Sequence, residues 1–170
     1  GTMTGALVIN SGTANTGLTI TSSDAASWLT MTDPTASLFF GNTGGEFALW
    51  TGGSEAMRVD GSGNVGIGVT PTAFSSRKNL DIGLGGKIWG HTSATETGMG
   101  SNFYFDGAYK RTSANAATRH IQDGNGHTFD VAASGSADAT ISWTTAMTIP
   151  TSGHVLVGTT NADVGGSTTG

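Results

Sequence analysis

The feature that most constrains this 170-residue chain is an internal repeat. Residues 55–70 and 145–160 align without a gap at a constant offset of 90 residues, and Ala, Met, Ser, Gly, Val, Gly and Thr recur at seven of the sixteen positions. In each copy a strand with alternating apolar residues (Met57 and Val59; Met147 and Ile149) enters a Ser-Gly turn at Ser62-Gly63 or Ser152-Gly153. A second alternating strand follows, carrying Val65, Ile67 and Val69 in the first copy and Val155 and Val157 in the second. Period-two alternation across a tight turn is the signature of a β-hairpin. A hairpin that recurs at long spacing means that the chain is built from repeated β units.

The sequence ahead of each copy extends the same reading. Trp28 to Thr32, Ser37 to Phe40 and Glu46 to Trp50 form short aromatic strands around a turn at residues 41–45. In the second half, Asn102 to Phe105, Arg119 to Gln122, His127 to Val131 and Thr140 to Trp143 do so around turns at Asp106-Gly107 and residues 123–126. No window of helical length carries an apolar stripe free of Gly or Pro, so the class is all-β. The expected organisation is N-terminal shaft strands over 1–27, with Leu7, Val8 and Ile9 in one of them, then a first β-module over 28–71. A connector with a strand of its own spans 72–101, a second β-module spans 102–160, and a tail rich in Gly, Thr and Ser covers 161–170. Both termini read as cuts from something longer.

Composition then decides how such units are stabilised. Leu, Ile, Val and Phe make up only 31 of the 170 residues, against 28 glycines, too few for a well-filled private core. A net charge of −5 is too small for a disordered chain. A folded chain with a poor core of its own shares one with copies of itself. There are no cysteines, so neither disulfides nor thiolate metal sites contribute. Seven scattered basic residues form no stripe for phosphate neutralisation, so nucleic acid is not an expected partner. No long apolar run predicts membrane insertion, and neither a secretion signal nor an Asn-x-Ser/Thr sequon is visible.

The repeat resembles the Glu-x-Met-Arg-Ile-x-Ser-x-Gly-Asn-Val-Gly-Ile-Gly-Thr signature of tailed-phage tail fibres and related virion fibre proteins. Residues 55–68 match it closely, and residues 146–160 are similar to its Ala-Met-Thr-Leu variant, with Pro150 and His154 as departures. In that family the signature often lies upstream of an intramolecular chaperone domain, and no such domain follows here within 170 residues. The resemblance implies an elongated row of short β-meander, β-prism or triple-stranded β-helix modules in a homotrimeric fibre. It further implies a virion, extracellular location, other fibre or tail proteins as neighbours, and attachment to a host cell-surface glycan. A self-polymerising extracellular filament or adhesin, and a glycan-depolymerising tailspike fragment, stand as alternatives.

Several motifs invite a chemical reading and lose it on inspection. Residues 61–66 match Gly-x-Gly-x-x-Gly, but β-alternation continues through them and Pro71 follows, where a dinucleotide site needs a helix N-terminus. Asp60 opens a calcium-like run whose sixth and twelfth positions are Val65 and Pro71, which cannot complete an EF-hand. No cofactor is expected. His91, His120, His127 and His154 show no paired spacing for a single-chain metal site, although His154, at a strand start, could face the axis of a trimer. A glycosidase needs two carboxylates flanking one groove, and most of the Asp residues here sit in turns beside Gly, Ser or Thr. Most aromatics read as core. Tyr109, flanked by Lys110 and Arg111 in a turn-like segment, is the exception and the expected exposed ligand-binding patch.

Overall fold

The structure is a computed structural model that describes Gly12 and residues 18–158. The expected strand around Leu7 to Ile9 and the tail over 161–170 lie outside the described residues. Among those residues the chain is all-β, with fourteen strands and no helix. β1 (Ala26–Thr32), β2 (Ser37–Thr43), β3 (Glu46–Thr51), β4 (Ser54–Val59) and β5 (Val65–Ile67) form an antiparallel meander. β6 (Arg77–Ile82), β7 (Gly86–His91) and β8 (Thr97–Ser101) continue it, joined to β5 by the one parallel pairing of the described sheet. After the separate hairpin of β9 (Phe103–Phe105) and β10 (Tyr109–Arg111), the main sheet resumes beside β8. It runs on through β11 (Ala117–Asp123), β12 (Gly126–Ala132), β13 (Thr144–Pro150) and β14 (Leu156–Val157). Twelve strands thus share one sheet, roughly 50 Å across at the usual strand spacing. The stretch expected to be a connector holds three strands that bond the two halves together.

The repeat is the same hairpin twice. Met57 pairs with Ile67, and Met147 with Val157. The amide of Gly68 bonds the carbonyl of Ala56 at 2.9 Å, and that of Gly158 bonds Ala146 at 2.8 Å. Gly63 and Gly153 close the turns at φ 81° and 82°, a region that side chains with a Cβ rarely adopt. The ladder slips by one residue between Leu49 and Trp50 and again between Phe129 and Asp130, leaving Ala56 and Ala146 as the extra residue of a β-bulge.

The core lies on one side of the sheet. Phe74, Trp89, Phe103, Ala117, Ala132 and Ile141 are buried there, with Phe105, Tyr109, Ile121 and Trp143 packed against them. Phe103 meets Phe74, Trp89, Tyr109 and Trp143 edge to face at 5.4–6.2 Å, the orientation that ring quadrupoles favour. Gly98 and Gly100 make room for it, since a Cβ at either would run into Trp89 or Phe103. The β9–β10 hairpin and the segment 133–143 cover this side. Residues 140–143, expected to be a strand, make only an isolated bridge between Thr140 and Lys110 while delivering Ile141 and Trp143 to the core.

Candidate assembly face

Strand alternation sends every second side chain to the opposite side of the sheet, where many of the described apolar side chains remain exposed. Register partners line up there strand after strand. Phe47 opposes Val59, which opposes Val65, then Leu80 and Ile88. The row continues through Met99, His120, Phe129, Met147 and Val157. A parallel row two residues away joins Leu29, Phe40, Leu49, Met57, Ile67 and Ile82. Many of these side chains remain in water: Leu29, Phe47, Ile67, Ile82, Ile88, Met99, Val131 and Val157 are all exposed. Ile82, Ile88, Met99, His120, Phe129 and Val131 line a shallow groove of about 500 Å³. At the far end Leu18 and Ile20 lie beside Leu29 and Phe40 around a second depression.

Charge is divided between the two sides as sharply as apolarity. Arg58 binds Glu46 and Glu55, Arg77 binds Glu96, Lys87 binds Asp81, and Arg119 binds Asp130, all on the opposite side of the sheet. By strand parity, the strand residues of the apolar side include no carboxylate and a single cation, Lys78, which bends to the Ser62 carbonyl at the rim. An apolar band that crosses twelve strands, with exposed residues along its length, is the kind of contiguous patch that marks an interaction surface. Its chemistry is that of an interface core, depleted of charge and rich in Met, Phe and Ile.

Two histidines sit in the middle of this band. His120 stacks on Phe129 with ring centroids 4.3 Å apart, and its Nε2 lies 3.2 Å from Nδ1 of His127. Burial, with the neighbouring His127 second, pulls the His120 pKa below the ordinary imidazole range. Residues seven apart carry no obvious pairing in the sequence. The tight turn of the β11–β12 hairpin pairs Gln122 with His127 and so brings the two imidazoles into diagonal contact.

The structure redistributes the residues singled out from sequence. Tyr109, Lys110 and Arg111 form a strand, so alternation separates them. Tyr109 packs into the aromatic core, with the Arg119 guanidinium 4.6 Å above its ring. Arg111 is buried and donates to the carbonyls of Thr140 and Ala133 at 3.2 and 2.6 Å. Lys110 alone points outward, to Asp106 at 2.8 Å. The expected exposed patch is therefore corrected to one surface lysine beside two core-supporting residues. His154 is exposed and contacts Ser152 Oγ at 3.0 Å. Among the described residues no group of three or more His, Cys, Asp or Glu is placed to hold a metal ion. No described helix is long and apolar enough to cross a membrane. No family model matches the chain, and no curated protein matches it.

Proposed function

We propose that this chain is a structural and adhesive segment of a phage fibre that assembles as a homotrimer through its uncovered apolar face. The observation that carries the reading is the charge-free apolar band across the main sheet, which one subunit leaves in water and three subunits could close around an axis. The resemblance of the repeat to virion fibre proteins supplies the number three and the extracellular virion location. Other fibre or tail proteins would adjoin it end to end. In this arrangement the charged side faces outward, and the half-buried Arg58–Glu46–Glu55 cluster contributes to the polar surface offered to a host-cell glycan. No catalysis is proposed: Glu46, Glu55, Asp81 and Asp130 are each committed to a cation, and Asp123 caps the turn through the Asn125 amide.

Among the described residues the sheet ends at β1 and β14, each bonded to a strand on one side. Open edges template further strand pairing, which favours a self-polymerising filament as the second reading. Light scattering on the purified chain, with and without mild SDS, tests both. A stable species near three times 17.1 kDa supports the trimer. A folded monomer refutes assembly, and a polydisperse series of much larger species favours the filament.

A further inference from the structure

Beneath the covered side of β6 and β7 lies a polar cluster that the assembly does not use. Asn79, Asp81 and Lys87 are only 4%, 5% and 4% exposed, with Lys87 beside the Phe74 ring and the Asn79 backbone amide donating to Asn64 Oδ1 at 3.3 Å. Asp81 and Lys87 are register partners, and Asn79 projects from the same side of β6 two residues earlier. One carboxylate oxygen, Asp81 Oδ1, accepts from Lys87 Nζ and also from Asn79 Nδ2, the latter at 2.9 Å. The other, Oδ2, is fixed by the Thr72 amide at 2.7 Å and the Thr72 hydroxyl at 2.8 Å. Thr72 Oγ1 in turn accepts from Lys87 Nζ at 2.9 Å. Asn79 Oδ1 is buried with no partner.

These groups are arranged for chemistry as well as for charge pairing. A lysine amine is nucleophilic only when neutral, and an apolar pocket is what makes it so. Burial pulls the Lys87 pKa below its ordinary range, against the opposing pull of Asp81. The Phe74 ring, 5.4 Å from Nζ, is part of that apolar wall. An amide becomes a substrate when its nitrogen can leave as ammonia, which requires a proton donor at that nitrogen. Asp81 Oδ1 touches both the incoming and the departing nitrogen, so a single oxygen can move the proton between them.

We propose that Lys87 and Asn79 condense into an intramolecular isopeptide bond, with Asp81 as the proton relay. The Lys87 ammonium passes a proton to Asp81, and the neutral Nζ attacks Asn79 Cγ. In the tetrahedral intermediate Asp81 gives its proton to Nδ2 and takes one from Nζ. The Cγ–Nδ2 bond breaks, ammonia departs, and the Nζ–Cγ amide remains. No oxidant, metal or cofactor takes part: ammonia leaves neutral and Asp81 is left as the protonated acid, so both charges of the buried pair are removed together. The product removes a buried ammonium that is costly to keep out of water. It also joins β6 to β7, beside the parallel seam between the two meanders, in a chain with no cysteine to staple it.

The test is the intact mass of the folded, purified full chain, measured after denaturation. The expected result is the sequence mass less one ammonia, restored to the full mass in Lys87→Met. Cleavage on the N-terminal side of Asp81 should then leave the peptides bearing Asn79 and Lys87 joined in the native chain. That peptide map decides the matter even if Lys87→Met folds poorly. The full sequence mass in the native chain overturns the proposal, as does an ammonia loss that persists in Lys87→Met. Loss of one water instead would place the bond on Asp81 and overturn the assignment of Asn79. None of these readouts depends on whether the chain assembles.

Discussion

Replacing Ile88 by Asp separates the stability of one subunit from the stability of the assembly. Ile88 lies at the centre of the apolar band and is 46% exposed in the single chain. Its backbone ladder to β6 and β8 does not depend on its side chain. In the isolated subunit the change costs strand propensity, about 1 kcal/mol, and the half of the side chain already buried there, about 1 kcal/mol more. In the trimer the remaining exposed half of the isoleucine would be buried. Full burial is worth about 1.5–3 kcal/mol, so about 1 kcal/mol is lost per subunit. Each buried, unpaired carboxylate adds a penalty of several kcal/mol. Summed over three subunits, with as little as about 2 kcal/mol per carboxylate, a loss of about 9 kcal/mol follows, which at about 1.4 kcal/mol per decade weakens association by roughly 10⁶-fold. Light scattering should report monomer at concentrations where the native chain is trimeric, while circular dichroism shows an intact sheet. Leu84→Asp is the control, because Leu84 sits in the β6–β7 turn at 84% exposure, off the band, and should leave the mass unchanged. A folded Ile88→Asp protein that assembles like the native chain would refute the reasoning.

Further outcomes follow from the core, the repeat and the histidine pair. Phe103→Ala should lower unfolding stability by about 3–5 kcal/mol in urea titration, since the ring is the centre of the aromatic cluster and its neighbours are tied to the sheet. At Gly66 a Cβ would overlap the Val69 carbonyl and press on Pro71, so Gly66→Ala should cost about 1–3 kcal/mol. Gly61→Ala, with open space around it, should change stability by less than about 0.5 kcal/mol by the same assay. A site requiring both glycines for a ligand would not show that contrast. His120 holds its proton less tightly when folded than when unfolded, so the unfolded chain takes up more protons as pH falls. Thermal stability should therefore be greatest above the ordinary imidazole range and decline as pH is lowered through it from about 8 to about 5. His120→Gln should flatten that decline, and an unchanged slope would remove His120 as its source.

Much of the β-structure was legible from local pattern alone. Alternating apolar residues and Gly-rich turns determine the all-β class and the strands around Trp28, Phe40, Trp50, Met57, Phe129 and Met147, because strand geometry ties side-chain direction to sequence parity. The repeated hairpin is equally local, since Gly63 and Gly153 fill backbone positions that other residues resist. Sequence also exposed the shortage of apolar residues, and so the expectation of a shared core.

Tertiary structure decided which side of each strand is covered, because alternation defines two faces without naming the one that packs. The covered side took Phe74, Phe103, Ile141 and Trp143 from non-adjacent segments, and with them Tyr109 and Arg111, whose neighbours in sequence suggested a surface patch. Register, set by turns and bulges distant from the residues concerned, brought His120 to His127 and Lys87 to Asp81. It also aligned nine separately modest apolar side chains and His120 into one row. Each of these is a relation between strands that become neighbours only when the sheet forms, so the single chain of letters carries the residues and the fold supplies their partners.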